Sequence, residues 1–130
     1  MAAESDGLSS DSITAERTPT AAATLDAAGV ATYQFDLDWR LEPERVQLPA
    51  GGHVHTGSIA ATLSPGGAAV AAIVAAAREQ ATVSYDPNAR PSLMGDPADA
   101  RSVIEKLIAQ SDVVKASEED AAWLYPGQSV

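Results

Sequence analysis

The clearest alternation of apolar and polar positions lies between residues 30 and 37, with the period of two that is typical of a strand. This run, Val30 to Leu37, and an earlier extended run, Thr20 to Leu25, flank the segment Asp26 to Gly29. Two extended runs joined by a short turn containing Asp and Gly predict a β-hairpin. Because Tyr33 and Phe35 share one face of the second run, we expect that face to be apolar.

After residue 50, short apolar runs alternate with segments of helical character. The predicted strands are His53–Ile59, Ala81–Tyr85 and Asp112–Ala116, and the predicted helices are Ser64–Gln80, Asp96–Ala109 and Ser117–Leu124. Ser64 and Asp96 each precede a proline, and a polar N-cap followed by proline is a signal for the start of a helix. Strands that alternate with helices predict right-handed crossovers and a parallel sheet. We therefore expect an α/β fold preceded by a β-hairpin.

Composition divides the chain into three segments. Residues 1–19 are polar, acidic and rich in Ser, Thr and Ala, which is typical of a poorly ordered lead-in. Residues 20–50 carry the hairpin and a linker, and residues 51–130 carry the α/β core. Hydrophobic residues make up 45% of the chain, but most are Ala and Val, so we expect a shallow core.

Charge and cysteine content exclude several classes of function. The formal net charge of −10 disfavours binding to nucleic acid, since the phosphates would be repelled. With no cysteine, the chain has neither a disulfide framework nor a thiolate metal site. Residues 1–10 lack the features of a signal peptide, and Gly66–Ala77 is too short to span a bilayer. We therefore expect a cytoplasmic protein with no membrane partner.

Three polar segments follow the predicted strands, namely Thr56–Ser58, Asp86–Arg90 and Lys115–Asp120. In open parallel sheets, ligands bind beyond the carboxyl ends of the strands. Arg90 would offer a fork of donors to a phosphate group, with Asn88 as a neutral donor beside it. The alternative, which is commoner, is that this Asp-Pro and Asn segment is ordinary turn chemistry.

Ser117 and Asp120 have the spacing of a capping box at the start of a helix. This structural role is the favoured one, although a carboxylate near a phosphate site could also hold a hydrated magnesium ion. His53 and His55 would share one face of a strand and supply half of a metal site. No third ligand is evident nearby, and solvent-facing histidines are far commoner. No dinucleotide fingerprint, P-loop or Gly-x-Ser-x-Gly elbow is present.

Taken in order, these segments resemble the middle of the PfkB-type carbohydrate kinases, especially the bacterial fructokinase-like branch. Val83–Leu93 is similar to the family's Asp-x-Asn-x-Arg stretch, and Asp112–Asp120 with Trp123-Leu124 resembles its strand-to-helix signature. Val54–Ile59 matches a family strand end, and Arg17–Thr20 with the following turn looks like its lid hairpin.

The resemblance implies a ribokinase-like, Rossmann-like sheet with a β-lid that closes over the sugar, and its residues 35–39 would cover the sugar. It also implies transfer of the γ-phosphate of ATP to a sugar hydroxyl with Mg²⁺. It places Asn88, Arg90, Lys115 and Ser117 on the phosphate side, and Asp120 near the magnesium ion through a water molecule. Ser117 and Asp120 stand where the family has Asn-x-x-Glu. The shorter Asp side chain reaches less far towards the ion.

The family's N-terminal sugar-binding region and its Gly-Ala-Gly-Asp motif, which supplies the catalytic base, do not occur in this sequence. We therefore assign no catalytic residue and expect a truncated kinase without turnover. The resemblance also implies sugar and ATP as partners and pairing of lid hairpins between subunits. The alternative function is a noncatalytic acidic α/β domain that binds a partner protein or a nucleotide.

Overall fold

The computed structural model describes residues 18–48 and 51–128, so most of the predicted lead-in at 1–19 lies outside the described residues. The strands are β1 Thr20–Leu25, β2 Ala31–Asp36, β3 His53–Gly57, β4 Thr82–Asp86 and β5 Val113–Val114. The α-helices are α1 Ser58–Thr62, α2 Gly66–Ala77, α3 Pro91–Met94, α4 Pro97–Ile108 and α5 Glu118–Leu124. A short 3-10 helix, Pro43–Arg45, lies in the linker. None of the described helices has the length and apolar character needed to cross a bilayer.

Strands β1 and β2 form the predicted antiparallel hairpin, paired from Thr20 with Asp36 to Leu25 with Ala31. The Asp26 carboxylate closes the turn by accepting hydrogen bonds from the backbone N–H groups of Ala28 and Val30, at 2.8 and 2.9 Å. This use of an Asp side chain inside its own turn is the chemistry that the sequence predicted.

Strands β3, β4 and β5 form a parallel sheet in that order, which confirms the predicted α/β class. Strand β5 has two residues rather than the five predicted for residues 112–116. The Asp112 carboxylate, instead of a strand carbonyl, accepts the hydrogen bond from the Val83 N–H at 2.7 Å. This side-chain contact takes the place of a ladder bond at the start of β5, so the strand begins after Asp112.

The core lies on one face of this sheet, between strand β4 and the helices α1, α2, α4 and α5. Its members are Ala61, Val70, Val74, Ala77, Val83, Tyr85, Ala100, Ile104, Leu107 and Leu124. Most of these side chains are Ala or Val, so each removes little apolar surface from water. On the opposite face, strands β3 and β4 present polar side chains.

Helix α2 begins differently from the prediction. Ser64 does not cap it; Pro65 is the N-cap residue and no side chain among the described residues caps the helix. The N–H groups of Gly66 and Gly67 instead donate to the carbonyls of Trp39 and Leu63, at 3.0 and 2.8 Å. Because backbone carbonyls already satisfy these first-turn donors, a side-chain cap is not needed.

Two short helices were not predicted, and they change the boundaries around them. Strand β3 ends at Gly57 rather than Ile59, because α1 starts at Ser58. Helix α3 follows Arg90, where the sequence analysis expected a turn. By contrast α4 begins as predicted, with the Asp96 side chain accepting from the N–H of Ala98 at 2.7 Å.

Trp39 joins the linker after the hairpin to the core. Its indole N–H donates to the carbonyl of Ala60 at 2.9 Å, and its own carbonyl accepts from the N–H of Gly66. The indole lies against Gly66 so closely that a Cβ atom at that position would overlap the ring. Glycine at the start of α2 therefore makes room for this contact.

Candidate functional site

The three polar segments singled out by the sequence meet at the carboxyl edge of the parallel sheet. The chain leaves β3 at Gly57, β4 at Asp86 and β5 at Val114. A cavity of about 370 Å³ lies at this edge, lined by His55, Thr56, Gly57, Ser58, Ala60, Asp86 and Asn88. It lies where ligands bind in open α/β sheets, so this edge is the candidate site.

The wall of the cavity depends on a close approach between β3 and β4. Gly57 pairs with Asp86, and a Cβ atom on Gly57 would overlap the Asp86 carbonyl oxygen. Directly beyond these residues, Ser58 and Asn88 have left-handed backbone angles, with φ of 54° and 38°. The Ser58 hydroxyl donates to the Asn88 carbonyl at 3.2 Å. Strained backbone of this kind clusters at ligand sites, although the observation alone names no ligand.

Asp86 and Lys115 form an ion pair across the edge, with Oδ2 and Nζ 3.2 Å apart. The second carboxylate oxygen of Asp86 accepts a hydrogen bond from the N–H of Asn88 at 3.1 Å. The Lys115 side chain is 70% exposed, so its charge is well hydrated and the pair is weak. Lys115 is therefore a cation that can turn to an incoming anion at little cost.

The structure brings Arg90 and Asn88 together, as the phosphate-side prediction required. One guanidinium nitrogen of Arg90, Nη1, donates to the Asn88 side-chain oxygen and the Ala89 carbonyl, each at 2.8 Å. It also lies 3.1 Å from the Asn88 carbonyl. Within the described residues, the Nε and Nη2 donors of Arg90 have no such partner, which leaves part of the fork for a ligand.

Asp120 is buried, with 5% of its surface exposed, and holds two segments of the edge together. Its Oδ1 accepts from the N–H of Ala89 at 2.6 Å, and its Oδ2 accepts from the N–H and hydroxyl of Ser117 at 2.9 and 2.8 Å. The Ser117 hydroxyl accepts in turn from the N–H of Asp120, which completes a capping box. The capping geometry favoured by the sequence is thus present.

The same contacts determine the charge of Asp120. Burial raises the pKa of its carboxyl, but the hydrogen bonds from the backbone of Ser117 and Ala89 and from the Ser117 hydroxyl lower it, as does the charge of Lys115. The lowering contributions prevail, and the pKa ends below its usual range. Asp120 is therefore a carboxylate at neutral pH.

Tyr85 lies beneath this edge and was not predicted to be special. Its hydroxyl is buried and has no hydrogen-bond partner among the described residues. Burial raises the pKa of the phenol, and the neighbouring Asp120 and Asp86 raise it further. The hydroxyl is therefore a neutral donor. A tyrosine on the apolar face of a strand gives no sequence signal that its hydroxyl will be buried.

No family model matches the sequence. The chain is 36% identical over 116 residues to a fructokinase of Klebsiella pneumoniae, a match that covers 85% of this chain and 38% of the relative. It is 32% identical over 115 residues to a fructokinase of Salmonella typhimurium, covering 83% of this chain and 37% of the relative.

The fold matches as well. The apo structure of a Vibrio cholerae fructokinase superposes with a TM-score of 0.70 at 29% identity, over 87% of this chain and 41% of that one. A structure of the Vibrio cholerae enzyme with fructose, ADP and calcium bound gives a TM-score of 0.68 at 26% identity, over 85% and 39%. The chain is thus homologous to fructokinases, which are carbohydrate kinases, over most of its own length. It spans about two fifths of the length of these relatives.

These similarities confirm the resemblance that the motifs implied, and the shared fold confirms the predicted α/β class. Asn88, Arg90 and Lys115 lie at one edge, while Ser117 is used in the capping box behind it. Their roles towards a ligand stay predictions. Asp86 was not predicted as the ionic partner of Lys115; its place at the end of β4 is the signal that could have identified it.

Proposed function

We propose that this carbohydrate kinase homologue carries part of the nucleotide phosphate site of an enzyme that transfers the γ-phosphate of ATP to a sugar hydroxyl. The observation that supports this most directly is the convergence of Arg90, Asn88 and Lys115 at the carboxyl edge of the sheet. A related enzyme binds fructose and ADP. A cytoplasmic location and pairing of hairpins between subunits stay predictions.

Two local cations allow an acidic chain to contact a polyanion. The formal net charge is −10, but Lys115 and Arg90 place two cations beside the cavity. Phosphoryl transfer depends mainly on positioning and on stabilising negative charge, and exposed Arg and Lys donors serve both purposes. Lys115 would exchange Asp86 for a phosphate oxygen, and Arg90 would offer its remaining N–H donors.

Asp120 at this edge fits a magnesium ion that is held through a water molecule rather than bound directly. Both oxygens of Asp120 already accept hydrogen bonds, and the side chain is buried, so direct coordination is disfavoured. Because Asp120 is ionised, it can still orient a water molecule of a hydrated ion, as Mg²⁺ commonly keeps several waters. When bound with the nucleotide, the ion would supply positive charge at the phosphates.

We further propose that the 130-residue chain alone does not catalyse the transfer. Its sequence contains no Gly-Ala-Gly-Asp stretch, which in the family provides the base. Coupled assays with ATP and fructose, ribose or 2-keto-3-deoxygluconate test this point. Steady turnover by the purified chain would contradict it, whereas binding of ATP without product agrees with it.

Binding of Mg²⁺-ATP to the purified chain, measured by isothermal titration calorimetry, tests the phosphate role. Charged hydrogen bonds are each worth about 1.5–3 kcal/mol, so Arg90→Ala and Lys115→Ala should each weaken binding by about tenfold or more. Arg45→Ala and Lys106→Ala are matched controls that remove a cation far from the edge, and they should change affinity less than about threefold. Equal affinity in all four variants would reject the assigned site.

A further inference from the structure

A cluster of four polar side chains lies on the face of the sheet opposite the core. His53 and His55 come from β3, and Thr82 and Ser84 come from β4. The parallel register places His53 beside Thr82 and His55 beside Ser84, so the four side chains form a square on one surface. Both histidines are exposed. His55 also lines the cavity at the carboxyl edge, whereas His53, one step earlier on the same face of β3, does not.

Hydrogen bonds fix the orientation of both imidazole rings. His53 Nδ1 lies 2.8 Å from the Thr82 hydroxyl, and His53 Nε2 lies 2.8 Å from the Ser84 hydroxyl. His55 Nδ1 lies 2.8 Å from the same Ser84 oxygen. One nitrogen atom from each ring therefore lies beside the Ser84 hydroxyl, and the Thr82 hydroxyl contacts the other nitrogen of His53.

We propose that His53 Nε2 and His55 Nδ1 bind a divalent transition-metal ion, with water molecules completing its coordination. Imidazole nitrogen is a preferred ligand for Cu²⁺, Ni²⁺ and Zn²⁺, whereas Mg²⁺ and Ca²⁺ prefer oxygen. The Ser84 hydroxyl turns aside when the ion enters. The Thr82 hydroxyl keeps its bond to Nδ1 of His53 and so orients this ligand, as hydrogen-bond partners of metal-bound histidines do.

The donor set defines what kind of site this is. Within residues 18–48 and 51–128, no group of three or more His, Cys, Asp or Glu side chains is placed to hold a metal ion. The site thus has two protein ligands and open positions. It would select metals by their affinity for imidazole, for which Cu²⁺ leads the divalent series.

No other imidazole or thiol of the chain can compete for the ion, because the sequence contains two histidines and no cysteine. Titration of the 130-residue chain with Cu²⁺, and separately with Zn²⁺, should show one equivalent bound by calorimetry. The ring protons of both histidines should shift together in NMR spectra with Zn²⁺. His53→Gln and His55→Gln, which keep a hydrogen-bonding side chain, should each weaken binding by about tenfold or more.

Controls separate this site from the many carboxylates of the chain. The double variant H53Q/H55Q should lose the tight equivalent, and Thr82→Ala, which keeps both imidazoles, should retain it with weaker affinity. Circular dichroism checks that each variant is folded. If the double variant binds Cu²⁺ as tightly as the wild type, or if each single Gln variant binds unchanged, the two-histidine site is wrong. Absence of any tight equivalent in the wild-type chain overturns it equally.

Discussion

Every residue of β1 is exposed, whereas β4 at the centre of the parallel sheet buries Val83 and Tyr85 almost completely. The hairpin is held by its own turn, by cross-strand pairing and by the stacked rings of Tyr33 and Phe35, whose centroids are 6.0 Å apart. The α/β core is held by packing between elements distant in sequence.

The hairpin therefore depends on residues close together in sequence, whereas the core depends on residues far apart in sequence. Local turn chemistry stabilises the hairpin, so changes there should leave the core intact. Core stability depends on tertiary burial, so the loss of one buried side chain should destabilise the whole core. The Trp39 contact with Gly66 connects the two regions.

The largest effect should come from the core. Ile104 is fully buried, and Ile104→Ala should lower the free energy of unfolding by about 2–5 kcal/mol, through lost burial and the cavity left behind. Urea denaturation followed by circular dichroism measures this. Ile108→Ala, on the same helix but 36% exposed, is the matched control and should cost clearly less. Equal losses for both variants would contradict the placement of the core.

The second-largest effect should come from the contact between Trp39 and Gly66, which connects the two regions. Gly66→Ala forces the Trp39 indole away and should destabilise the chain by about 1–3 kcal/mol, as overpacking does. In a Trp39→Ala background, the same substitution should cost almost nothing, because no ring is left to displace. A double-mutant cycle by urea denaturation measures the coupling. Additive effects would show that the two residues do not interact.

Asp120 should have a smaller, pH-dependent effect. Asp120→Asn places an amide N–H₂ or a weaker acceptor against the Ser117 donors and should cost about 1–2 kcal/mol at pH 7, in the range of a lost N-cap. The folded-state pKa is lowered, so this stabilisation is complete above the ordinary value of 3.8 and is lost as pH falls through the folded-state pKa.

Denaturation at pH 7 and at about pH 3 tests this dependence. The difference between the wild type and Asp120→Asn should shrink at the lower pH, because the unfolded wild-type chain there binds a proton more readily than the folded carboxylate does, which favours unfolding. Glu119→Gln, an exposed neighbour in the same helical turn, should show almost no difference at either pH. A gap that widens as the pH falls would contradict the assigned direction.

The smallest effect on the core should come from the hairpin itself. Phe35→Ala removes the stacked ring, yet it should change the unfolding of the core by less than about 0.5 kcal/mol, as exposed substitutions usually do. Amide hydrogen exchange should speed up in β1 and β2 and stay unchanged in β4. Uniform acceleration across both regions would show that the hairpin and core unfold as one unit.

Elements with local signals could be predicted from the sequence. Asp26 with Gly29 marks the hairpin turn, and the sequences starting at Asp96 and Ser117 mark α4 and α5, because each cap uses side chains close in sequence. The prediction that Ser64 caps α2 was wrong, because the start of this helix depends on a contact distant in sequence. The first donor of α2, the N–H of Gly66, is satisfied by the carbonyl of Trp39, far away along the chain, and no local pattern reveals this contact.

The same distinction applies to the candidate site. Arg90 and Asn88 are two residues apart, so their contact followed from the motif. The hydrogen bond from Ala89 to Asp120 and the ion pair between Asp86 and Lys115 join segments that meet only after folding. Motif resemblance indicated which segments approach each other, but not that Asp120 would be buried as a clamp between them.

The Trp39 contact also gives the protein a built-in optical reporter. The chain has two tryptophans, Trp39 and Trp123, and both are partly buried against the core. In a Trp123→Phe variant, all indole emission would come from the point where the hairpin linker meets α2. Its wavelength would distinguish a docked hairpin from a detached one, without any label, during titration with nucleotide or metal.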